Sequence, residues 1–91
     1  MMMRERGETN MRIQVLGTGC SRCKALYELV QKAVQETGAE AQVEKVEDIQ
    51  AIMAFRLIAT PGLVIDGRVK AAGRLPGMEE LKRLILAAQA A

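Results

Sequence analysis

Val15-Leu16-Gly17-Thr18-Gly19-Cys20-Ser21-Arg22-Cys23 is the stretch that decides the fold. Two apolar residues close a run of extended character, two glycines turn the chain, and a pair of cysteines opens a segment with helical spacing. Just upstream, Arg12–Leu16 reads as a strand: Ile13 and Val15 face one way and Leu16 the other, as a strand covered on both faces requires. Just downstream, Leu26, Val30, Ala33 and Val34 form one apolar stripe, so Ser21–Thr37 reads as an amphipathic helix ending at Gly38.

Further on, Ala41–Val46 reads as a second strand, with Ala41, Val43 and Lys45 on one side. Asp48 can cap a short helical segment, Ile49–Phe55, whose Ile49, Ile52 and Met53 are spaced for burial. Pro61 stops any helix there and pushes Thr60 toward an extended backbone. Leu63-Val64-Ile65 and Arg68-Val69-Lys70-Ala71 flank Asp66-Gly67, the residue pair that suits a type I′ hairpin. After Gly73, Pro76 and Gly77 comes a final helix, Met78–Gln89, with Leu81, Leu84, Ile85 and Ala88 on its apolar face and Glu79 and Glu80 in its first turn. The order βαβαββα predicts an α/β domain with a four-stranded mixed sheet and three helices on its faces. Its first two strands should be parallel, joined by a right-handed crossover.

The chain has 91 residues, enough for one domain. Hydrophobic residues make up 49%, but there is no tryptophan and only one tyrosine and one phenylalanine, so the core must be aliphatic. Residues 1–10, MMMRERGETN, read as a flexible polar leader ahead of a domain spanning 11–91, and Met11 is a candidate natural start. They carry no apolar run of the secretory type, and no stretch is long enough to span a bilayer. A net charge of +2, with acids interleaved among the bases, argues against a nucleic-acid partner. A cytoplasmic monomer is expected.

Cys20 falls near the start of the helix and Cys23 about one turn inside it. In a reducing compartment such a pair points to redox chemistry or metal binding sooner than to a structural bridge. Unpaired backbone N–H groups at a helix start favour negative charge, and Arg22 and Lys24 add positive field. A free cysteine titrates near about 8.5, so only about 3% is thiolate at pH 7. Lowering that to about 7 takes about 2 kcal/mol, within what a helix terminus can supply. Cys20 is then the attacking thiol and Cys23 the resolving one. The alternatives are a small stabilising disulfide, two inert thiols, or a soft-metal or metalloid site formed by the thiolates of Cys20 and Cys23.

The segments VLGTGCSRC (15–23), ATPGLVIDGRV (59–69) and AAG (71–73) together resemble the thioredoxin superfamily, nearest its short glutaredoxin-like branch of archaeal and bacterial single-domain proteins. The resemblance covers residues 11–88 and implies a thioredoxin-like three-layer fold. It further implies a cis bond before Pro61, Thr60 presenting its backbone to a bound partner, and Gly73 leaving room beside the site. Gly19, Ser21 and Arg22 would shape the entrance to Cys20 and Cys23. The chain departs from thioredoxin proper in having Gly19 where a tryptophan is usual and Ser-Arg between the cysteines. It also has Gln14 in the strand that usually carries a buried aspartate, leaving Glu44 and Glu47 as the remaining carboxylate candidates.

The expected function is therefore thiol–disulfide exchange with a protein disulfide or a low-molecular-weight thiol. No cofactor is expected on the chain itself, because no phosphate loop or dinucleotide fingerprint exists, so reducing power would come through a separate reductase. Soft-metal binding and a non-enzymatic regulatory or scaffold role are the rival expectations. With no histidine, a Cys–His nucleophile pair and histidine-ligated metal are excluded.

Overall fold

The structure, a computed structural model, describes residues 11–18, 21–57 and 59–90. The expected leader, Gly19 and Cys20 lie outside these residues. Strands β1 (Met11–Leu16), β2 (Ala41–Val46), β3 (Gly62–Ile65) and β4 (Arg68–Ala72) alternate with helices α1 (Ser21–Thr37), α2 (Ile49–Ala54) and α3 (Met78–Ala90) in the order βαβαββα. The strands form one mixed sheet in the order β2-β1-β3-β4. β1 and β2 are parallel, with Ile13 opposite Val43 and Leu16 opposite Val46. β3 runs antiparallel to both its neighbours, Leu16 facing Gly62 and Gly62 facing Ala72. A register shift at Leu63/Val64 leaves Lys70 as an extra residue on the edge strand β4.

Alternation along β1 builds a core on each face of the sheet. Met11, Ile13 and Val15 pack with Leu26, Val30 and Ala33 of α1 and Leu81 and Ile85 of α3. Leu16 points the other way and packs with Val64 and with Ile52 of α2. Two helices on one face and one on the other make the expected three-layer arrangement. β1 begins one residue earlier than the sequence suggests, because the Met11 N–H donates to the Glu40 carbonyl at 3.0 Å and so joins the ladder.

The turns follow local chemistry. Asp66 (φ 50°) and Gly67 (φ 83°) both take the positive φ that a type I′ hairpin needs. Asp48 caps α2, accepting from the Ala51 N–H. The expectation of three buried residues on α2 is corrected: Ile52 is buried, but Ile49 and Met53 are 57% and 67% exposed. A six-residue helix offers the sheet one narrow stripe. Ile49 and Met53 share a line one turn apart that is rotated away from Ile52's contact with Leu16 and Val64. Among the described residues no helix is long and apolar enough to cross a membrane.

Candidate functional site

The site lies at the end of the sheet where β1 ends, β3 begins and β4 ends. The chain leaves β1 at Gly17, whose N–H donates to the Val46 carbonyl at 3.0 Å and extends the pairing with β2 by one step. Gly17 is buried, and the position of its missing side chain is already occupied. A Cβ there would collide with Sγ of Cys23 and lie 3.2 Å from Cys23 Cβ and 3.9 Å from Thr60 Cβ. Bare backbone at Gly17 therefore lets three separate segments approach one point.

Cys23 is the third residue of α1 and is 4% exposed. Ser21 and Arg22, ahead of it, are exposed. The first turn of α1 carries no acid, so nothing there opposes the positive end of the helix.

Across from the helix start, the Thr60–Pro61 bond is cis, as the resemblance implied. Pro61 is fully buried while Thr60 is exposed, so the loop presents Thr60 outward from a fixed base. Gly73 closes behind this loop. Its N–H donates to the Pro61 carbonyl at 2.8 Å, and its φ of 75° is one that side chains rarely adopt. The space left by its missing Cβ is taken by Ala59, whose Cβ would stand 2.8 Å from an added methyl. The room that Gly73 leaves is thus room for the proline loop itself. Finally, Nη2 of Arg22 donates to the Gly73 carbonyl at 3.3 Å and joins the helix start to the loop.

Of the residues singled out from sequence, Cys23, Arg22, Thr60, Pro61 and Gly73 come together here. Ser21 sits at the exposed start of α1, and Gly19 and Cys20 lie outside the described residues. Glu44 is engaged elsewhere, its carboxylate pairing with Arg12 at 3.1 Å toward the opposite end of β1. Glu47 is exposed. Tyr27 packs at the rim of the core with the Lys45 ammonium 5.1 Å from its ring centroid. The metal alternative rests on the two cysteines alone, since among the described residues no three His, Cys, Asp or Glu side chains gather as ligands.

Sequence reading missed Gly17 and Ala59 as parts of this site. Gly17 looked like a turn glycine, yet it is not among the residues with positive φ; it is a glycine because of what lies against it. The signal available was its position directly after a buried strand and ahead of the cysteines.

Comparison with known proteins agrees with this architecture. Residues 11–86 match the family model described as a thioredoxin domain. A thioredoxin of Methanothermobacter thermautotrophicus is 40% identical over 75 residues, covering 82% of this chain and 97% of that protein. A thioredoxin of Methanocaldococcus jannaschii is 40% identical over 70 residues, covering 77% and 80%. Among solved structures, the germline-specific thioredoxin Deadhead of Drosophila melanogaster superposes with a TM-score of 0.63 at 16% identity, covering 91% of this chain and 85% of that one. Mitochondrial thioredoxin 3 of Saccharomyces cerevisiae gives 0.63 at 17% identity, covering 85% and 77%. At that identity the two structures speak for the fold alone.

Proposed function

Because the chain belongs to the thioredoxin family, we propose that it exchanges disulfides through Cys20 and Cys23, acting on protein disulfides or low-molecular-weight thiols and being re-reduced by a separate reductase. The observation that carries this reading is the packing of Cys23 Sγ against Gly17, at a point that Thr60 of the Gly73-held loop also approaches. A buried structural thiol would need only apolar neighbours. This one lies against Gly17, beside which Thr60 also stands.

In the proposed cycle the Cys20 thiolate attacks one sulfur of the partner's disulfide. An S–S bond to Cys20 forms, the partner's own S–S bond breaks, and the departing thiolate takes up a proton. Cys23 then loses its proton and attacks the Cys20 sulfur. A Cys20–Cys23 disulfide forms and the partner's second thiol leaves. The partner gains two electrons and two protons: the chain gives up both electrons and the Cys23 proton, solvent supplies the other proton, and a reductase then restores the dithiol. Thr60 would pair with an extended partner through its backbone, in the manner of an added strand. Pro61, lacking an N–H, leaves the Thr60 groups to the partner. Ser21, Arg22 and, before them, Gly19 would border the entrance.

The test is equilibration with dithiothreitol and glutathione redox buffers. A two-electron midpoint that vanishes in Cys20→Ser and in Cys23→Ser is expected, and a chain without a midpoint is not an exchanger. In a cell extract, Cys23→Ser should hold partners as mixed disulfides on Cys20. Equal trapping by Cys20→Ser would reverse the assigned roles.

A further inference from the structure

We propose that Arg22 is a positioning residue: it straps the helix bearing Cys23 to the proline loop and so fixes the ledge on which an extended disulfide partner lies. This rests on the exchange reading above. The strap is a run of two hydrogen bonds through one residue. Arg22 Nη2 donates to the Gly73 carbonyl at 3.3 Å, and the Gly73 N–H donates to the Pro61 carbonyl at 2.8 Å. Residues 51 positions apart in sequence are thereby linked, and the link continues into Thr60–Pro61.

Gly73 is a firm anchor for such a strap. Its φ of 75° and the nearness of Ala59 (2.8 Å from where a Cβ would stand) leave it little freedom to shift. Arg22 is equally specific. Among the described residues it has no acidic partner, so its guanidinium is held by a neutral carbonyl and not drawn aside into a surface ion pair. The guanidinium reaches the Gly73 carbonyl with one N–H of Nη2. The alternative role, a positive charge that activates Cys20, would act on the thiol itself and on every disulfide alike.

A strap has a different signature. Without it the loop samples more arrangements, and the cost of selecting one falls on partner binding and not on the sulfur chemistry. An extended peptide disulfide needs the ledge, whereas a small neutral disulfide such as dithiodipyridine needs only the thiolate.

The experiment compares the wild-type chain with Arg22→Met, which keeps the stem and removes the donors, and Arg22→Lys, which restores a donor and the charge. With a synthetic peptide disulfide, Arg22→Met should raise KM about fivefold at unchanged kcat, the size of one exposed hydrogen bond. Arg22→Lys should return KM to within about twofold of wild type. The dithiodipyridine rate should fall in Arg22→Met by clearly less than kcat/KM for the peptide does, and Arg22→Lys should recover both. Independently of activity, exchange of the Gly73 amide hydrogen should quicken about fivefold in Arg22→Met. An unchanged Gly73 exchange rate or an unchanged peptide KM overturns the strap. So does a dithiodipyridine rate that falls as far as kcat/KM for the peptide. A wild-type chain that reduces neither disulfide disposes of the exchange reading, while the Gly73 amide still decides whether Arg22 holds the loop.

Discussion

Gly17 lies so close to Cys23 that the backbone of one fills the contact shell of the other's sulfur. A methyl at Gly17 would meet Sγ and stand 3.2 Å from Cys23 Cβ, so either the thiol rotates away or the strand end moves. Gly17→Ala should therefore destabilise the fold by about 1–3 kcal/mol, the usual range for overpacking, and slow the step in which Cys23 resolves a mixed disulfide. Urea unfolding and stopped-flow release of a trapped peptide read the two effects. Gly38→Ala is the control, since that glycine has φ 72° with nothing within 4 Å of an added Cβ. It should cost about 1 kcal/mol through the backbone alone and leave the resolving step untouched. If both variants slow that step equally, the contact at Gly17 has no special bearing on Cys23.

The exposed pair on α2 gives a second contrast. Ile52 packs with Leu16 and Val64 under the sheet, while Ile49 and Met53 stand in solvent. Ile52→Ala should cost about 2–4 kcal/mol. Ile49→Lys and Met53→Lys should each change stability by no more than about 0.5 kcal/mol. Denaturant midpoints decide it. A large loss from either lysine variant would mean that this face is covered in solution.

Much of this architecture is legible from local sequence because local chemistry determines it. Alternation sorts Ile13 and Val15 from Leu16, the stripe Leu26–Val30–Ala33 faces the first core, and Asp66-Gly67 demands its own turn. What sequence could not show depends on which segments end up adjacent. Arg56, after α2, takes φ 58° although it is not Gly, Asn or Asp, and its N–H donates to the Met53 carbonyl at 2.9 Å, a local helix end that its residue type does not announce. The Arg22–Gly73 bond and the Gly17–Cys23 contact exist only after the sheet has assembled. The resemblance gives Gly73 as leaving room beside the site; what a side chain there would meet, Ala59, is visible only in the fold.

Acid stability should depend on two surface pairs. The Glu36 carboxyl is held below its ordinary value of 4.5 by a hydrogen bond from Lys82 and then by that ammonium's charge. Glu80 is lowered chiefly by its hydrogen bond from Arg74. A carboxyl depressed in the folded state stabilises it above the ordinary value, and that stability is lost as pH falls through the lowered one. Lys82 is raised above 10.5 by Glu36, so its share is fully present below that value and lost as pH rises through the raised one. Urea midpoints should therefore fall as the pH is lowered below the ordinary carboxyl value of 4.5. Lys82→Met should flatten part of that decline by removing the α1–α3 pair at 2.7 Å. An acid limb identical in the variant would show that the pair contributes nothing, the common result for exposed ion pairs.

Gly73 separates backbone conformation from packing in one position. Gly73→Ala meets two penalties: a side chain at φ 75°, costing about 1 kcal/mol, and a methyl 2.8 Å from Ala59 Cβ, costing a similar amount if the loop cannot yield. Ala59→Gly removes the second penalty and leaves the first. In a double-mutant cycle the pair should be coupled favourably by about 1 kcal/mol, with Gly73→Ala less harmful when position 59 is glycine. Urea unfolding of the four chains measures the coupling. Zero coupling would place the whole cost in the backbone and mean that the loop carrying Thr60 and Pro61 gives way to the methyl.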